Sequence, residues 1–227
     1  MERFQYHLFN PRALTADTVQ LSNNVYDLWK TVYTEVLGKV GEPLNPDDFH
    51  RCDVIVALTD NNKVFGFHMY SAFDLRSNAL RDHHYMKAFD DLIIKKFQSR
   101  GINTMMSMEY LTVSPEYRSR SSEVNWSEII IALGSKVMEA GGWDCLVGTA
   151  RRDLNVRRKS AKSGANYFGS VIKMNYECEI LMTKNGEVQP LGDSKHAELV
   201  ESLWAAKANH TSILDDTRIV VPLKRVA

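Results

Sequence analysis

One stretch limits the fold more than any other: MEYLTVSPEYRSRSSEVNWSEIIIALGSKVMEAGGWDCLVGTARRDLNVRRKSAKSGA, Met108 to Ala165. It reads as a strand ended by Ser114-Pro115, a polar loop, a helix from Asn125 to Ala140 stopped by Gly141-Gly142, and a second strand, WDCLVGTA. That second strand is mostly apolar, as a parallel strand buried on both faces is. A short basic helix, about Asn155 to Ser163, follows and stops at Gly164.

The flanking sequence extends this unit. A helix is expected from about Thr18 to Leu37, where Val25, Leu28, Trp29, Val32 and Val36 recur at helical spacing. DVIVALTDNNKVFGFHMYSAF reads as an antiparallel hairpin turning at Asp60-Asn61-Asn62. A helical insertion is expected at about 74–101, amphipathic in its second half. YFGSVIKMNYECEILMT reads as one more strand region. A helix from about Ser194 to Ala208 and an apolar run, Arg218 to Leu223, close the chain. The order implies a mixed α/β fold in one domain spanning 1–227, with helices on both faces of the sheet and a C-terminal helix and tail at about 193–227.

Composition removes several function classes. Acidic and basic residues balance at 28 each, so net charge does not mark a nucleic-acid binder. No signal peptide or membrane-length apolar run is visible, which implies a cytoplasmic protein. The three cysteines, Cys52, Cys145 and Cys178, are far apart, and neither a disulfide framework nor a metal site is expected. His83-His84 lies in a polar loop without the spacing of a zinc site and reads as surface.

The loop before the Asn125 helix is a natural anion seat, because a helix N-terminus offers free N–H groups and the positive end of its dipole. Arg118 and Arg120 add charge there, and Ser119, Ser121 and Ser122 add hydroxyls. A serine-rich solvated cap explains the same residues. The basic run Arg151, Arg152, Arg157, Arg158, Lys159 and Lys162 suits phosphates or an acidic partner; a solvated helix face explains it equally well.

The phrase Leu111-Thr112-Val113-Ser114-Pro115-Glu116-Tyr117-Arg118, followed by a helix, Gly-Gly, a strand and Asn155 ahead of Gly164-Ala165, resembles the GNAT acyltransferase superfamily. The resemblance implies a mostly antiparallel mixed sheet with the insertion between its third and fourth strands. It implies transfer of an acyl group from acetyl-CoA, another acyl-CoA or acyl carrier protein to a small-molecule amine. The backbone of Leu111 to Val113 would pair with the pantetheine arm. Arg118, Ser119, Arg120, Ser121 and Ser122 would cradle the pyrophosphate, and Asn155 would hydrogen-bond the pantetheine.

Two departures stand out. Ser121 and Glu123 occupy places where small residues usually let the backbone approach a pyrophosphate. The insertion replaces what is often a turn. Both features, together with Glu109 ahead of Leu111-Thr112-Val113, are similar to acyl-homoserine-lactone synthases and long-chain N-acyl amino acid synthases. An amino acid is then one possible acceptor.

Catalysis needs a deprotonated amine, and Glu109 is the base candidate, with Met106, Met108 and Leu111 expected to desolvate it. Pairing with a basic neighbour is the alternative. The family's helical tyrosine falls at Ser160, leaving Tyr176 or Tyr167 as acid. Met105, Met106 and Met108 read as core filler or as the lining of an acyl slot. A non-catalytic binding module that has lost donor turnover is the competing function.

Overall fold

The computed structural model describes residues 3–118 and 123–214. The segment before the first expected helix forms a strand of its own. β1 (Phe4–Phe9) alternates enough to bury Tyr6 and Leu8 on one face, yet it is short and ends in two buried residues. α1 (Ala16–Gly38) covers the expected helix and buries Val25 and Trp29. After α2 (Asp47–His50), β2 (Val54–Asp60) and β3 (Lys63–Tyr70) form the expected hairpin. Asn61 and Asn62 take φ of 49° and 68°, the left-handed pair that a two-residue hairpin turn requires.

β3 breaks at Ser71 and resumes as β4 (Ala72–Asp74). The insertion then runs through α3 (Asn78–Arg81), a 3-10 turn (His84–Ala88) and α4 (Asp91–Ser99). α4 starts at Asp91 because the Asp90 carboxylate accepts the Ile93 N–H at 2.8 Å, capping the first turn. β5 (Thr104–Val113), α5 (Trp126–Ala140), β6 (Cys145–Arg151) and α6 (Val156–Ser160) follow in the expected order.

The single strand region expected after α6 is a hairpin, β7 (Asn166–Lys173) and β8 (Tyr176–Lys184). Its turn is Met174-Asn175, with φ of 48° and 56°. Methionine is a poor signal for such a turn, which is why the sequence hides it. α7 (Ser194–Ala205) and β9 (Ala208–His210) complete the described chain. The apolar run Arg218 to Leu223 lies outside the described residues.

The sheet order is β7-β8-β6-β5-β3-β2-β1-β9, with β4 also on β5. Among the described residues, only β5–β6 and β1–β9 are parallel. α5 and α7 pack on one face, against Tyr6, Val56, Phe65 and Met106. α1 packs on the other, over Phe9, Ile55, Phe67 and Met69. The insertion shares that second face, over Met105, Cys145, Val147 and Ile180. Strand alternation thus sends Met105 and Met106 into different cores, where both are buried.

Among the described residues, no helix is long and apolar enough to cross a membrane, and no cluster of His, Cys, Asp and Glu could hold a metal ion. All three cysteines are free and buried. Burial pushes the Cys145 thiol above its ordinary range, which disfavours a thiolate.

Candidate functional site

The site begins with a defect in β5. Its register with β3 moves from Phe67↔Thr112 to Met69↔Glu109, one extra residue on the β5 side. Tyr110 absorbs it with φ of 56°, a conformation costing an aromatic residue about 1 kcal/mol or more. The Tyr110 hydroxyl donates to Asp48 Oδ2 at 2.6 Å, and its ring meets Trp29 and Tyr33 edge-on at 5.6 and 4.7 Å. The bulge lets consecutive residues, Glu109 and Tyr110, both reach the α2 region.

At the same level β5 and β6 part. Their parallel ladder ends at Met108↔Gly148, while β6 continues to Arg151 paired with β8 alone. Glu109–Val113 and Thr149–Arg151 therefore face each other across an opening. Backbone groups on such edges must find other partners, and an extended amide-bearing chain can supply them. α1 bridges the opening. Tyr33 donates to the Leu111 carbonyl at 3.2 Å, and Tyr176 donates to the Val36 carbonyl at 2.8 Å. Burial raises the Tyr33 hydroxyl to about 12, keeping it a donor.

The floor of the opening carries a buried ion cluster. Arg51 spans two carboxylates, donating from Nε to Asp48 Oδ1 at 2.8 Å and from Nη2 to Glu109 Oε2 at 2.6 Å. Asp48 and Glu109 are 3% and 6% exposed. Ser107 and Ser71 donate to Glu109 Oε1 at 2.8 and 3.3 Å, with Arg51 Nη1 at 3.4 Å. Oε1 is thus fully engaged, whereas Oε2 takes one donor and keeps acceptor capacity. Burial alone would raise the Asp48 carboxyl, but hydrogen bonds from Tyr110 and Arg51 outweigh it and hold it below its ordinary value.

This corrects the apolar setting expected for Glu109. Met106 belongs to the core on the opposite face, Met108 packs against that same core, and the carboxylate is held in a polar, ion-paired socket. Sequence adjacency is not spatial adjacency on a strand. Arg51, Asp48, Ser71 and Ser107 went unnoticed in the sequence. The ion pair joins positions 58 apart, in a segment that reads only as a Pro, Asn and Asp-rich loop.

The opposite wall comes from the insertion and β7. Tyr85 donates to the Val147 carbonyl at 3.1 Å. Lys173 Nζ lies 3.9 Å from the centre of the Tyr85 ring and donates to Thr149 Oγ1 at 3.2 Å. His83 is half-buried, not a surface residue, and its Nδ1 accepts the Tyr85 N–H at 3.2 Å. His84 is exposed, with Nδ1 4.0 Å from Asp48 Oδ1.

The remaining expected residues are more scattered. Leu111 and Val113 lie on the opened edge of β5. Arg118 folds back, its Nε donating to the Val113 carbonyl. Ser119, Arg120, Ser121 and Ser122 lie outside the described residues. Asn155 precedes α6 with φ of 51°, exposed, and its side chain does not cap the helix. Tyr176 carries Arg151 over its ring at 3.8 Å, and its proton is engaged by Val36. Most of the basic run is locally neutralised. Arg151 faces Asp153, Arg152 faces Glu177, Arg157 faces Glu179 and Lys162 faces Glu128.

No protein-family model matches the chain, and no curated protein matches it in sequence. Solved structures do. A CoA-dependent acyl-homoserine lactone synthase, BjaI, superposes with TM-score 0.57 at 8% identity, covering 93% of this chain and 97% of that one. FeeM, an N-acyl amino acid synthase from uncultured soil microbes, gives 0.56 at 6% identity over 82% and 94%. Agmatine N-acetyltransferase gives 0.58 at 8% identity over 81% and 100%. The fold of this chain is the GNAT fold that these acyltransferases share.

Proposed function

We propose that the protein is an N-acyltransferase that moves an acyl group from a pantetheine thioester to the amine of a small molecule. The observation that carries this reading is the coincidence of two features. The β5–β6 opening sits beside the Tyr110 bulge, and the buried Glu109–Arg51–Asp48 cluster lies at its floor. The Leu111 and Val113 carbonyls accept from the Tyr33 and Arg118 side chains, and the amide groups of a pantetheine arm pair with this edge by sharing or displacing those donors. Glu109 Oε2 keeps acceptor capacity for an amine N–H, and Arg51 fixes the direction in which it points.

In this reading the acceptor nitrogen bonds to the thioester carbon and its proton passes to Glu109, directly or through water. The C–S bond breaks and sulfur leaves as a thiolate, which needs little help from an acid. Tyr176 is the acid only where it releases Val36. Arg118, with Ser119, Arg120, Ser121 and Ser122, receives the donor's phosphates, and Asn155 lines its path. The insertion favours an acyl chain longer than acetyl, from acyl-CoA or acyl carrier protein, and the fold shared with FeeM, an N-acyl amino acid synthase, favours an amino acid as acceptor.

Thermal unfolding with acetyl-CoA, with decanoyl-CoA and without ligand tests donor binding. A ligand at a hundredfold excess over Kd adds about 2.7 kcal/mol. At this size that is a shift of several degrees. A shift with decanoyl-CoA above that with acetyl-CoA supports the long-chain reading. No shift with either, together with no thiol released from a decanoyl-loaded carrier protein, overturns donor binding.

A further inference from the structure

Lys173 ends β7 and points to the sheet face that also carries Thr149 and Glu109. Thr149 is the first residue of β6 beyond its last pair with β5, and Glu109 is the first of β5. The Lys173 ammonium therefore arrives at the floor of the opening from the wall facing Arg51. It has three N–H groups. One goes to Thr149, and the Tyr85 ring lies beneath the charge. Among the described residues it has no carboxylate within salt-bridge distance, whereas Arg51 has two.

The fold alone gives little reason for an ammonium at this place. A methionine would pack on Tyr85 without the desolvation that an ammonium suffers. Burial does pull the Lys173 ammonium below the ordinary lysine range, with Glu109 opposing the fall. The charged groups acting on it are Glu109, Arg51 and Asp48, with Cys178 and Tyr85 beside it. A cation with donor capacity to spare, in a partly water-excluded opening, is what stabilises negative charge that appears only during reaction.

We propose that Lys173 is a catalytic residue of the acyl transfer, hydrogen-bonding the thioester carbonyl oxygen as that oxygen becomes negative. The inference rests on the acyltransferase reading above. As the amine nitrogen bonds to the carbonyl carbon, the C=O π pair moves onto oxygen and is held by the Lys173 N–H. The pair returns as the C–S bond breaks, and the thiolate takes up a proton from solvent. Lys173 keeps its own proton throughout.

The test compares wild type, Lys173→Met, Lys173→Arg and Thr149→Val, with decanoyl-CoA as donor and a mixture of amino acids and alkylamines as acceptors. Released thiol is followed over pH, and decanoyl-CoA binding is measured separately. Lys173→Met is expected to lose about a hundredfold or more in kcat, with decanoyl-CoA affinity within about threefold. Lys173→Arg should recover at least a tenth of the activity. It should also extend activity to higher pH, because the wild type loses kcat as Lys173 deprotonates. Thr149→Val, which removes the anchor of the ammonium together with a side-chain contact to Tyr85, should lose about tenfold, and it decides the matter if Lys173→Met does not fold. Unchanged kcat in Lys173→Met, or a loss confined to KM, overturns the role of Lys173 while leaving the acyltransferase reading intact. A wild type that releases no thiol from decanoyl-CoA or from decanoyl carrier protein overturns both.

Discussion

Arg51 Nη2 donates to Glu109 Oε2 at 2.6 Å, and this one contact ties the C-terminal end of α2 to the first residue of β5 past its pairing with β6. The same guanidinium holds Asp48, whose second oxygen receives the Tyr110 hydroxyl. The strained bulge and the buried carboxylates are therefore one unit. The ion cluster helps keep Tyr110 in its unusual conformation, and the bulge brings Glu109 to the opening.

Removing the cation should be costly to the fold. Arg51→Met leaves Asp48 and Glu109 buried without a counter-charge, and breaking a buried pair in this way costs about 3–5 kcal/mol. Urea unfolding of the variant should show a loss of that order. Adding Glu109→Gln to Arg51→Met should recover part of it, since one of the two stranded charges is removed.

Glu109→Gln alone addresses chemistry. The amide oxygen can still accept from Ser107 or from Arg51 Nη2, though not from both, and it is a far weaker base. Turnover should fall by about a hundredfold with decanoyl-CoA affinity within a few-fold of wild type. Steady-state kinetics beside a donor-binding measurement reads both. Unchanged turnover would remove Glu109 from the base role.

His68 predicts an acid limb of stability. It is fully buried in β3, its Nε2 has no partner, and burial pulls its ring down to about 3. In the unfolded chain it titrates near 6.5. As pH falls below about 6.5, the unfolded chain takes up a proton that the folded chain refuses, by up to about 1.4 kcal/mol per pH unit. Stability should be full above about pH 6.5 and decline toward pH 3. His68→Leu should flatten that slope, as urea titrations at pH 7, 6 and 5 would show. The depressed Asp48 carboxyl adds its own loss only below about pH 4.

The β7–β8 turn should accept improvement. Met174 sits at φ of 48°, where asparagine is far more at ease. Met174→Asn should stabilise by about 1 kcal/mol and raise the unfolding midpoint by a few degrees.

These residues also show what the sequence can and cannot disclose. Periodicity located α1, α5 and the β2–β3 hairpin, because each carries its own local pattern and stop signals. The phrase around Leu111 to Arg118 located the opened edge and Glu109. It was silent on Arg51, Asp48, Ser71 and Lys173, which reach the same place from four separate segments. Their only local signal was a charged or polar residue on an otherwise buried face, visible once strand register was fixed. β1 was too short, and the Met174-Asn175 turn too unorthodox, to be read locally. The basic run looked available for phosphates, yet its partners Glu177, Glu179 and Glu128 come from β8 and α5.

The most direct test of the central claim is product formation. Purified protein is incubated with decanoyl-CoA or decanoyl carrier protein and a mixture of amino acids and alkylamines. Amide and free thiol are then quantified by mass spectrometry and thiol titration. An N-decanoyl amide and free thiol are expected in equal amounts, both abolished by Glu109→Gln with Lys173→Met. Thiol without amide, or neither product from any donor, would contradict the claim.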